Sequence, residues 1–186
     1  MRTFIALEIP DTVKNRLEKF VHQMKLSGGS VRWVKPQDVH LTLKFLGEVN
    51  QEQVSRISSL LDQVVSGFSN FSLHIAGTGT FPHSSPRPRV IWAGISQEPL
   101  LSALQADLEK ALLKSGFPLE KRSFWPHLTL GRVKSSQGIK PLVKNIQENA
   151  HIVFGSMPVN QIHLFKSELM PAGAEYSKIH TTDLSS

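Results

Sequence analysis

Three features of this 186-residue chain predict an α+β fold of mostly antiparallel sheet. Strand and helix patterns are interspersed, and several neighbouring strand patterns are joined only by short turns. The tetrapeptide His-Leu-Thr-Leu occurs twice, at His40–Leu43 and His127–Leu130, close to half a chain apart. Interspersed elements with short strand-to-strand links argue against a doubly wound parallel sheet. The repeat points to a duplicated architecture, two similar lobes sharing residues 1–186 as one domain.

The elements follow in order. Thr3 to Ile9 is apolar, as a buried strand is, and Pro10 ends it. Asp11 is read as the cap of a helix to about Met24, with Val13, Leu17, Phe20, Val21 and Met24 at helical spacing. Val31–Val34 is a short strand stopped by Pro36, and Val39–Val49 holds the first tetrapeptide. Asn50 caps a helix whose stripe is Val54, Ile57, Leu60, Leu61, Val64 and Val65. Phe71–Ile75 is a strand, Gly77–Pro82 a turn region, and Pro82–Arg89 an exposed loop. Val90–Ile95 is a buried strand, Leu100–Lys114 a helix, and Pro126 precedes the second tetrapeptide. Lys140–Asn149 is a short helix, and Ser156–Leu169 and Glu175–Thr181 are strands joined by a turn at Pro171-Ala172-Gly173.

Composition narrows the class. There is no cysteine, which excludes a disulfide, a thiolate metal site and a thiol nucleophile, and permits a cytoplasmic location. The apolar start is interrupted by Glu8 and Pro10, unlike a signal peptide. No apolar run approaches the roughly 20 residues of a membrane helix. The net charge of +6 favours a polyanionic partner, nucleic acid among them.

In a strand, alternate side chains share a face. His40 and Thr42 therefore point one way with the leucines to the core, and His127 and Thr129 do the same. Two such strands side by side give one cleft two imidazoles and two hydroxyls. A neutral ring takes a proton from an attacking water and a protonated ring gives one to a departing oxygen. The hydroxyls donate to non-bridging phosphate oxygens. A metal is the rival use of paired histidines. There is no His-Glu-x-x-His pattern, however, and only Asp38, Glu48 and Glu120 lie near the motifs, so no metal and no cofactor are expected. Strict alternation puts Lys44 on the His40 face, and Phe45 and Arg132 on the leucine face, unless Gly131 interrupts the strand with a bulge. Trp33, Phe124 and Trp125 are candidate rim aromatics, and His83 with Arg87 and Arg89 a candidate entrance loop, each against a plain packing or surface role.

The paired His-x-Thr motifs resemble the 2H phosphoesterases. The wider strings His40–Gly47, Pro126–Arg132, Arg2–Leu7 and Arg89–Gly94 are similar to the RNA 2′,3′-cyclic phosphodiesterases, also called 2′-5′ RNA ligases. The resemblance implies a LigT-like bilobal fold of two pseudo-symmetric lobes around a basic cleft. It implies metal-independent hydrolysis of a terminal 2′,3′-cyclic phosphate to a 2′-phosphomonoester, with His40 as proton donor and His127 as acceptor. Thr42, Thr129, Arg132 and Phe45 are then substrate-binding candidates. The expected partners are RNA ends or nucleotides bearing a 2′,3′-cyclic phosphate, with no membrane and a monomeric chain. ATP-independent 2′-5′ ligation and a non-catalytic RNA-binding module are the alternatives.

Overall fold

A computed structural model describes residues 1–83, 85–171 and 173–186. Ser84 and Ala172, which the sequence places in an exposed loop and a turn, lie outside the described residues. The first sheet has the order β3-β1-β8-β9, with β1 (Arg2–Glu8), β3 (His40–Glu48), β8 (Gln161–Met170) and β9 (Gly173–Asp183). The second has the order β2-β6-β5-β4-β7, with β2 (Ser30–Trp33), β4 (Phe71–Phe81), β5 (Val90–Ile95), β6 (His127–Ser135) and β7 (Val153–Val159). Every ladder between these strands is antiparallel.

Two helices cross between the lobes. Helix α1 (Asp11–Lys25) follows β1 but packs on β7 of the other sheet, and α3 (Pro99–Lys114) follows β5 but packs on β3. Helix α2 (Gln51–Val65) lies on α3 and β9, while α4 (Lys140–Glu148) lies on β4. This exchange stitches the halves together. One apolar cluster runs from Ile5 and Leu7 through Leu41 and Leu128 to Leu184.

Several boundaries differ from the sequence reading. Pro10, not Asp11, occupies the cap of α1, and Asp11 stands in its first turn. Asn50 does cap α2, accepting from the Gln53 N–H while its own N–H donates to the Gln53 side chain. Strand β4 continues through the predicted turn to Phe81. Its Gly79 is required by packing: a Cβ there would lie 2.3 Å from Cζ2 of Trp92. The expected strand Ser156–Leu169 is two strands, β7 and β8, parted at Asn160.

Candidate active site

Both tetrapeptides open a nine-residue strand, and the two strands share one burial sequence residue for residue. In β3, Ala6 pairs with Thr42 but Ile5 pairs with Lys44, so Leu43 is extra. In β6, Trp92 pairs with Thr129 but Ile91 pairs with Gly131, so Leu130 is extra. Each bulge moves the side chains directly after it to the opposite face. Two expectations are thereby corrected. Lys44 does not share the His40 face; it is 7% exposed and its Nζ donates to Glu109 Oε2 at 2.8 Å and to the Pro118 carbonyl at 2.7 Å. Phe45 and Arg132 are not on the leucine face; both are exposed, and Phe45 lies with its ring centroid 6.0 Å from Phe4, a neighbour of His40. At the second bulge Gly131 is required by packing, because a Cβ there would meet Val31 at 2.7 Å and Trp33 at 3.0 Å.

His40 sits in an aromatic cage. Its ring stacks on Phe4 with centroids 4.7 Å apart, lies 5.8 Å from Phe165, and meets Tyr176 edge-on at 5.1 Å. Burial pushes its pKa down to about 4, Lys14 adds a little, and a hydrogen bond to the backbone at Asp38 works the other way. His127 is anchored to the backbone two residues upstream: its Nδ1–H donates to the Trp125 carbonyl at 2.7 Å. A carbonyl only accepts, so the neutral ring keeps its lone pair on Nε2. Burial lowers the His127 pKa, and the charge of Arg132 lowers it further.

The motif strands β3 and β6 pack against each other where the sheets meet. Arg132 joins the two histidine environments electrostatically, acting on His127 and also on Tyr176, which covers His40. Thr42 and Thr129 are half-buried beside their histidines. Of the candidate rim aromatics, Trp125 is 56% exposed, while Trp33 and Phe124 pack on the core. His83 is exposed and edges onto Phe81 at 5.0 Å and Trp125 at 5.6 Å, and Phe81 meets His127 at 5.1 Å. Among the described residues no three His, Asp or Glu side chains converge as a metal site, and no helix is long and apolar enough to cross a membrane.

The sequence profile of the family described as LigT like Phosphoesterase matches residues 7–92 and 94–176, one tetrapeptide in each stretch. An RNA 2′,3′-cyclic phosphodiesterase of Methanothermobacter thermautotrophicus is 34% identical over 178 residues, 95% of either chain. The chain belongs to the LigT-like phosphoesterase family. A crystal structure from Thermus thermophilus matches this LigT-like chain with a TM-score of 0.82 at 28% identity, covering 99% of it and 98% of the Thermus protein. E. coli LigT complexed with 3′-AMP matches with a TM-score of 0.78 at 26% identity, over 100% and 98% of the two chains.

In this LigT-like phosphoesterase, sequence reasoning missed the residues that surround the motifs. Phe4, Phe165 and Tyr176 come from three strands that only the order β3-β1-β8-β9 brings to His40. Phe81 reaches His127 because β4 extends past its expected end. A usable signal existed for Phe4 and Phe165, which are large aromatics placed amid strands of smaller aliphatic side chains.

Proposed function

We propose that this chain hydrolyses the terminal 2′,3′-cyclic phosphate of RNA to a 2′-phosphomonoester, without a metal ion, in the cytoplasm. The observation that carries this reading is the matched pair of half-buried imidazoles, each opening a bulged strand of the same burial sequence and each followed by a threonine on the same face. Relatives named as RNA 2′,3′-cyclic phosphodiesterases and the nucleotide complex of E. coli LigT support the substrate class.

His127 is the acceptor. With Nδ1–H held by Trp125, its free Nε2 takes a proton from water as that oxygen bonds to phosphorus. His40 is the donor, giving its proton to the 3′ oxygen as the P–O3′ bond breaks. In the free protein His40 is mostly neutral at pH 7, since its pKa is about 4. A bound phosphate anion favours the imidazolium and raises that pKa toward the working range. Thr42 and Thr129 donate to the non-bridging oxygens, and Arg132 and Phe45 bind phosphate and base.

The test is an RNA ending in a 2′,3′-cyclic phosphate, incubated with the protein and a chelator. A 2′-phosphomonoester is the expected product. A 3′-phosphomonoester would reverse the leaving group, and no product in chelator would remove the metal-free reaction.

A further inference from the structure

Two rows of cleft residues face each other beside the histidine pair. In the first sheet, Arg2 pairs with Ser167, and Ser167 pairs with Tyr176, in line across β1, β8 and β9. In the second sheet, Arg32 of β2 is the direct register partner of Arg132 of β6. The β8–β9 hairpin brings the rows together: a Cβ added at Gly173 would lie 3.9 Å from Nη2 of Arg32. Tyr176 in turn packs on His40. Burial raises the phenol's pKa most and the charge of Asp38 adds to that, whereas Arg132, Arg32 and Arg2 all lower it, so three cations lie within electrostatic reach of one hydroxyl.

These guanidinium groups are exposed, and among the described residues none forms an ion pair with a carboxylate. Like charges opposite each other on paired strands destabilise the sheet. The Arg32–Arg132 pair therefore costs stability unless an anion sits between or beside the two. Planar guanidinium forks suit a phosphodiester, which they can grip through two oxygens.

We infer that Arg2, Arg32 and Tyr176 form, beside the Arg132 that serves the terminal cyclic phosphate, a second anion site that takes the internucleotide phosphate preceding it. The inference rests on the proposed hydrolase activity and deepens it. The site makes the enzyme select RNA ends over free cyclic mononucleotides, because a mononucleotide has no preceding phosphodiester to offer.

The experiment compares kcat/KM for 2′,3′-cyclic AMP and for the dinucleotide ApA bearing a 2′,3′-cyclic phosphate, in the wild type, Arg2→Met and Arg32→Met. The wild type is expected to prefer the dinucleotide by about tenfold or more. Each variant should lose most of that preference while its rate on cyclic AMP stays unchanged, and the dinucleotide's salt dependence should flatten. Equal rates on both substrates in the wild type, or variants that slow both substrates alike, would overturn the inference. If neither substrate turns over, the hydrolase reading fails, and calorimetry with ApA 3′-phosphate against 3′-AMP decides the second site alone. Tighter dinucleotide binding that Arg32→Met abolishes upholds it, and equal binding overturns it.

Discussion

Acidifying the free protein should expose the burial of His40 as a loss of stability. The ring's folded-state pKa is about 4, against about 6.5 when unfolded. Between those values the unfolded chain binds the proton and the folded chain does not, so stability rises with pH across the window. The contribution is complete above pH 6.5 and is lost as pH falls toward 4. At pH 5 the unfolded ring is almost fully protonated and the folded ring about one-tenth, which works out to about 2 kcal/mol for this one group. Burial lowers the pKa of His127 and His163 as well, and both add loss in the same direction. Urea unfolding of the wild type and of His40→Gln at pH 7.5 and pH 5.0 isolates the contribution of His40. The wild type should lose about 2 kcal/mol more than the variant on going to pH 5.0. Equal losses in the two proteins would refute the claim that the aromatic cage of Phe4, Phe165 and Tyr176 holds a neutral imidazole.

Two further outcomes follow from the paired bulges. Lys44→Met leaves Glu109, 11% exposed in its side chain, without its cation, and should cost about 3–5 kcal/mol by urea unfolding. The double variant Lys44→Met, Glu109→Leu should recover part of that, since it removes the unpaired charge but leaves the Pro118 carbonyl and the Glu120 N–H without their partners. Gly131→Ala should destabilise by about 1–3 kcal/mol, because the new methyl meets Val31 and Trp33. It should also slow turnover, measured on a cyclic-phosphate RNA, by shifting Arg132.

What the sequence discloses here depends on the range of the interactions. Alternation within His40–Leu43 and His127–Leu130 is local, so the shared faces of His40 with Thr42 and of His127 with Thr129 could be read directly. The Asn50 cap was equally local, needing only Gln53 three residues on. The fate of Lys44, Phe45 and Arg132 was not local. It is set where β1 and β5 slip one residue against the motif strands, and the only hint was Gly131. In the first copy even that hint is absent, since a lysine fills the same position and finds Glu109 on a distant helix. The cage around His40 and the arginine rows needed the strand order itself, which places Tyr176 and Arg2 in one line although nearly the whole chain separates them.

The central claim is that His40 and His127 act as one acid–base pair on a single phosphate. The most direct measurement is the turnover of a 2′,3′-cyclic-phosphate-ended RNA, in chelator, by the wild type, His40→Ala, His127→Ala and the double variant. Each single change should lower kcat by about 10² to 10⁴, and the double variant should be little worse than either, as expected for groups that act as a unit. Activity near wild type in the double variant would contradict the account.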